Sequence, residues 1–194
     1  MFEKEITKDQ VNNLPLQRYE GKVVVVNTAG QLASALEELQ NAAVIGFDTE
    51  SKPTFYKGQY NPVAMIQMAI PGKVFLIRIS LTGFTQGLRD IFSNKKIVKA
   101  GISIRDDIKD LQRLAAFTPQ NVVDLNDVAS EIGVMNIGVR SLAGIFLGIR
   151  ISKGQQTSNW ERETLSDSQI TYAATDAWVC LEIYQKLEQK GYIY

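Results

Sequence analysis

Between residues 42 and 79 the chain runs through three apolar stretches, AAVIGFDTE, NPVAMIQMAI and KVFLIRI, and only Pro71-Gly72 separates the last two. The first is almost continuously apolar, the pattern of a central strand covered on both faces. The other two read as strands joined by a hairpin at the Pro-Gly pair. Together they predict a three-strand antiparallel meander in the middle of the fold.

The rest of the chain builds around it. VVVVN (23–27) is a further strand. Thr28 and Gln31 form a capping-box pattern ahead of a helix over 30–41, in which Leu32, Ala35, Leu36 and Leu39 recur at helical spacing. A helix near 85–93, a strand KIVKAGI (96–102), a helix over 104–116 and a strand NVVDL (121–125) follow, then short helices near 126–132 and 141–147. A polar loop (152–160) precedes a final helix over 166–190, opened by a Ser166/Gln169 capping box and closed by Gly191. A meander followed by β-α-β units predicts an α/β fold: a mixed sheet of five strands or slightly more, with helices on both faces. Residues 1–22 read as an irregular N-terminal extension and residues 23–194 as one domain.

The 194 residues contain no histidine, so the usual neutral-pH base and commonest metal ligand is missing. Hydrolytic chemistry would have to run on carboxylates, hard cations and water. Twenty-one basic residues balance 21 acidic ones, so no overall basic excess holds nucleic acid. Local patches exist: residues 132–160 lack Asp and Glu but carry Arg140, Arg150 and Lys153, and Lys95, Lys96 and Lys99 precede Asp107. Such patches suit phosphates, although solvated surface is the commoner role for any one of them. A single cysteine, Cys180, favours a reducing, intracellular setting, cytoplasmic in a bacterium and with the nucleus open in a eukaryote. No apolar run approaches the roughly 20 residues of a membrane span, and the N-terminus lacks an apolar signal segment, so no membrane partner is expected.

Four carboxylates and a tyrosine stand out. Asp48 and Glu50, two apart at a strand end, point to one face of the sheet, where they repel unless a cation lies between them. The plainer alternative is two solvated charges at the start of a loop. In GISIRDDIKDL, Ile104, Ile108 and Leu111 form a helical stripe; Asp107 sits at its edge and Asp106 nearly opposite, so Asp107 alone faces the sheet. Its alternative is a carboxylate favoured by the helix N-terminus. Asp176 projects within the apolar arc of the last helix, where a carboxylate needs a partner, and Tyr172 lies one turn earlier on the same side. A buried Asp satisfied by amides or an Arg is equally compatible with that helix alone. Taken together, three sheet-facing acidic elements suit Mg²⁺ or Mn²⁺ rather than zinc, and two such ions clamp a phosphodiester.

FDTE, the helix after KAGISIRDD and the terminal SNW…LSDSQITYAATDAW, in that order, resemble the three motifs of DEDDy-type 3′→5′ exonucleases of the DnaQ-like, ribonuclease-H-like superfamily. Werner-type exonuclease domains are the nearer group and the ribonuclease D group the more distant. The likeness spans roughly 23–190. It implies a ribonuclease-H-like fold, two divalent cations (Mg²⁺ or Mn²⁺) held by Asp48, Glu50, Asp107 and Asp176, and a nucleophilic water oriented by Tyr172. It also implies a substrate with a free 3′ end, DNA or RNA, from which nucleoside 5′-monophosphates are released. Helicase or helical nucleic-acid-binding regions of some members have no counterpart in this sequence. Arg105, Arg140, Lys153 and Arg162, or a protein partner or second copy, are expected to supply more of the affinity. Phe55, Tyr56 and Trp160 are candidate base-stacking residues, with core packing the equal alternative. A non-catalytic nucleic-acid-binding module on the same fold, and an unrelated α/β protein with structural acids, remain the rival readings.

Overall fold

The computed structural model describes residues 2–54, 56 and 58–193. In chain order the elements are α1 (Lys8–Asn13), β1 (Lys22–Val26), α2 (Ala29–Leu39), β2 (Val44–Ser51), β3 (Val63–Ile70), β4 (Lys73–Ile77), α3 (Ile79–Thr82), α4 (Gln86–Ser93) and β5 (Val98–Gly101). After them come α5 (Arg105–Leu114), β6 (Val122–Asp124), α6 (Leu125–Glu131), α7 (Val139–Leu142), a π-helical turn (Ala143–Leu147) and α8 (Asp167–Gln189). Among the described residues no helix is long and apolar enough to cross a membrane.

Six strands form one mixed sheet in the order β1-β4-β3-β2-β5-β6. The meander β2-β3-β4 is antiparallel, and β1, β5 and β6 join it in parallel. Ile70 pairs with Lys73 across the Pro71-Gly72 turn, and Gly72 takes the positive φ of 75° that suits a residue without a side chain. Both predicted capping boxes form: the Thr28 hydroxyl accepts from the Gln31 N–H, and the Ser166 hydroxyl from the Gln169 N–H.

Strand alternation sorts the core into layers. Ile45, Phe47, Ile66, Met68, Phe75 and Ile77 face α2, α4 and α5, which contribute Leu32, Leu39, Leu88, Phe92, Ile108 and Leu111. Met65, Ala69, Val74 and Leu76 face the other way, under Ala173, Ala174, Ala177 and Leu181 of α8. Small side chains let that helix lie close to the sheet. A methyl group on Gly46 would come within 2.3 Å of the Ala177 carbonyl. The second half of α8 packs with α6, α7 and the π-helical turn beyond β5 and β6.

Three expectations need correction. KVFLIRI does not stay a strand to residue 79: Ile77 pairs with Val26, where β1 ends, so the ladder stops and Ile79–Thr82 turn into α3. The helix expected over 141–147 is a four-residue α-turn running into a π-helix that ends at Gly148, with φ of 67°. Residues 2–21 are not uniformly irregular. They include α1 and dock on the body: Val11 is buried, Phe2 meets Phe146 edge-on at 4.7 Å, and the Gln17 N–H donates to the Arg150 carbonyl at 2.9 Å.

Candidate active site

β2 leaves the middle of the sheet with Asp48 and Glu50 on the face covered by α8. α8 crosses that face and presents Asp176 to them. Oxygens of Asp48, Glu50 and Asp176 lie within 4.8 Å of one another, a spacing that one cation could bridge. Asp176 is 4% exposed, so the group is closed on the helix side. Among the described residues, no Lys or Arg forms an ion pair with any of the three.

Carboxylates crowded together in a largely desolvated site without cationic partners hold their protons. Burial, then the Asp176 and Asp107 charges, pushes Asp48 well up, and the Thr49 N–H opposes the rise. Burial, then Asp48, Asp176 and Asp107, pushes Glu50 up to about 10. Burial raises Asp176 to about 7, and the Tyr172 hydroxyl one turn away offsets part of that rise. Tyr172 itself is pushed far up, by burial and then by the Asp176 and Glu50 charges, so its hydroxyl stays a hydrogen-bond donor. A divalent cation fits this donor set: it would neutralise charges that otherwise stay protonated or repel.

Asp107, in the first turn of α5, is not a member of the trio. It accepts a hydrogen bond from the Thr49 hydroxyl, and the Thr49 N–H donates to Asp48 Oδ1 at 2.9 Å. Thr49 thus ties the two acids together from between Asp48 and Glu50. Its place in FDTE was visible, and strand alternation turns it towards α5, but its role needed the position of α5. Asp106 points away: it is exposed and paired with Lys109 at 2.8 Å.

The suggested substrate contacts scatter. Trp160 is fully buried, so it cannot stack on bases; its ring lies 6.1 Å from that of Tyr172 and backs it. Lys99 of the basic cluster is also fully buried, its ammonium donating to the Asn94 and Ile97 carbonyls, and burial lowers it to about 8. Arg105 is exposed and paired with Asp127 at 2.8 Å. Arg140 and Lys153 share a small cavity of about 180 Å³ with Lys8 and Asn12. Arg162 is exposed, with its carbonyl taken by the Arg78 guanidinium. Tyr56 is 79% exposed, and Phe55 lies outside the described residues. A larger cavity, about 850 Å³, opens beside Tyr172 between Leu16–Glu20, the Ser152–Gln155 loop and the first turns of α8.

A cluster of acids at a strand end and on a crossing helix, on a mixed sheet and without histidine, is the equipment of a metal-dependent phosphodiester hydrolase. The comparisons agree. A family model described as 3′-5′ exonuclease matches residues 23–191. The chain belongs to this 3′-5′ exonuclease family. It is 34% identical over 200 residues to the mouse bifunctional 3′-5′ exonuclease/ATP-dependent helicase WRN, covering 97% of this chain and 14% of that protein. A 3′-5′ exonuclease of Arabidopsis thaliana is 27% identical, over 94% of this chain and 69% of its own. The chain therefore spans a small part of the first relative and about two thirds of the second. Among solved structures, the EXO domain of Aedes aegypti Nibbler superposes with a TM-score of 0.79 at 25% identity, covering 91% of both chains. Escherichia coli RNase D shares the fold, with a TM-score of 0.77 at 23% identity over 89% of this chain and 47% of that one.

Proposed function

We propose that this chain is a divalent-metal-dependent 3′→5′ exonuclease that hydrolyses the terminal phosphodiester of DNA or RNA and releases nucleoside 5′-monophosphates. The observation that carries the reading is the trio of half-buried Asp48 and Glu50 and buried Asp176: mutually close and unpaired with any Lys or Arg among the described residues. These acids would hold Mg²⁺ or Mn²⁺. Asp107, linked to Asp48 through Thr49, extends the acidic set for a second ion. When bound, such a pair of ions supplies an activated water and charge neutralisation for the departing 3′ oxygen. Tyr172, kept protonated, donates its hydroxyl hydrogen bond beside Asp176 and orients the attacking water. Trp160 packs near the tyrosine ring. An intracellular site of action is consistent with the single, buried, reduced Cys180.

A digestion panel tests the whole reading. With Mg²⁺ or Mn²⁺, 5′-labelled single-stranded, recessed and RNA substrates should give descending ladders, and EDTA should stop them. A 3′-terminal phosphorothioate should slow digestion. Immediate release of labelled mononucleotide from the 5′ end would reverse the polarity; binding without metal-dependent digestion would favour a non-catalytic module.

The two acids of α5 give a finer test. Asp107→Asn should lower turnover by about 10²-fold or more, because it removes a charge from the acidic set proposed for the second ion, and losing one placed electrostatic stabiliser commonly costs about 10²–10³-fold. Asp106→Asn removes only an exposed pair with Lys109 and should change turnover and melting temperature little. Equal losses in steady-state assays of the two variants would show that α5 is misphased.

A further inference from the structure

Gln67 is fully buried in the middle of β3, within an otherwise apolar run. Its cross-strand neighbours are Asp48 on β2 and Leu76 on β4. Met65 and Ala69, two positions either side, pack under α8, whereas Ile66 and Met68 pack on the opposite face. Alternation therefore sets Gln67 beside Asp48 beneath the small side chains of Ala173, Ala174 and Ala177. Neither Oε1 nor Nε2 of Gln67 has a hydrogen-bond partner among the described residues. An unpaired buried carboxamide is costly, and a chain of this size has apolar residues of similar volume to put there instead.

Asp48 offers the missing acceptor. Its Oδ1 receives the Thr49 N–H, and Oδ2 receives no hydrogen bond among the described residues. Directly opposed residues of an antiparallel pair have Cβ atoms roughly 4.5–5.5 Å apart, within reach of a carboxamide after a change of rotamer. We propose that Gln67 is a positioning residue for the cation site: its Nε2 donates to Asp48 in the loaded state and fixes how that carboxylate faces Glu50 and Asp176. With Thr49 on one oxygen and Gln67 on the other, Asp48 would be held from two sides, as ligating carboxylates commonly are. The inference rests on the metal reading above.

Calorimetric titration with Mn²⁺ tests it without using activity. Gln67→Met keeps the length and volume of the side chain and deletes both polar atoms. Affinity for Mn²⁺ should fall about 10–100-fold relative to the wild-type protein. The metal-free melting temperature should stay level or rise, since no paired group is lost. A glutamine with no part in the site would give that thermal result with unchanged affinity, and this outcome would overturn the proposal. Gln67→Leu repeats the measurement with a different packing shape, should Met fold poorly. If the wild-type protein itself fails to bind Mn²⁺, the metal reading falls and the role of Gln67 falls with it. Wild-type binding matched by both variants would remove Gln67 alone.

Discussion

Asp48→Asn should silence turnover, by at least about 10³-fold, while making the metal-free protein more stable. The activity loss follows from position. Asp48 is one of three acids whose oxygens converge, and it is the one tied to Asp107 through Thr49. Removing even one well-placed electrostatic stabiliser commonly costs 10²–10³-fold, and this residue serves the whole set. The stability gain follows from charge. An Asn at 48 can still accept the Thr49 N–H, and it escapes both the charge repulsion and the enforced proton that the fold imposes on Asp48. Relief of about 1–3 kcal/mol would raise the melting temperature by roughly 2–12 °C in a domain of this size.

The same electrostatics fixes a pH dependence. Glu50 holds its proton up to about 10 in the fold but releases it near 4.5 when unfolded, and Asp176 holds its proton to about 7 rather than 3.8. Over those windows the native state binds more protons than the unfolded chain, so stability falls as pH rises. The metal-free wild-type protein should therefore melt lower at pH 9 than at pH 6. Mn²⁺ should raise the melting temperature, and more so at pH 9, because the cation replaces protons. Asp48→Asn should flatten both trends. Differential scanning calorimetry with EDTA or Mn²⁺ reads all of this; a wild-type melting temperature indifferent to pH and metal would contradict the picture of a buried cation site.

The sequence made different parts of this molecule legible for different physical reasons. The sheet could be read because its strands are apolar runs set off by a Pro-Gly turn, and burial on both faces leaves little room for another structure. The facing of Asp48 and Glu50 follows from period two, and that of Asp107 and Asp176 from period 3.6; both patterns are local. What needed the fold was every property that depends on a neighbour distant in sequence. Thr49 matters only because α5 brings Asp107 to it, and Gln67 only because β3 pairs residue 67 with residue 48. Trp160 and Lys99 looked available to a substrate because both side chains combine an apolar body with a polar tip, so their composition fits a surface or a core equally well. The docking of α1 was hidden for a different reason: Val11 is the one apolar residue of that helix, and its surroundings, including Gly144, lie far along the chain. The early end of β4 was set by the length of β1 and not by its own residues.

Tyr172→Phe should separate chemistry from metal binding. Phe keeps the ring that sits 6.1 Å from Trp160 and loses only the hydroxyl. That hydroxyl is a donor at every working pH, because burial and the acid charges push its ionisation far up. It therefore cannot act as a base, and the contribution proposed for it is to orient a water or a phosphate oxygen. Groups that position a proton in this way typically contribute about 10²–10⁴-fold, and turnover should fall within that range. Mn²⁺ affinity should hold, since no carboxylate is removed. One interaction does change: the hydroxyl offsets part of the rise of Asp176, so its loss should push that carboxyl higher. The pH at which metal binding reaches half its maximum should then move slightly upward. Single-turnover kinetics alongside Mn²⁺ titration across pH distinguishes the outcomes. Unchanged kinetics would make Tyr172 a packing residue, and lost metal binding would make it a support for Asp176; only a fall in the chemical step with metal retained assigns it the water.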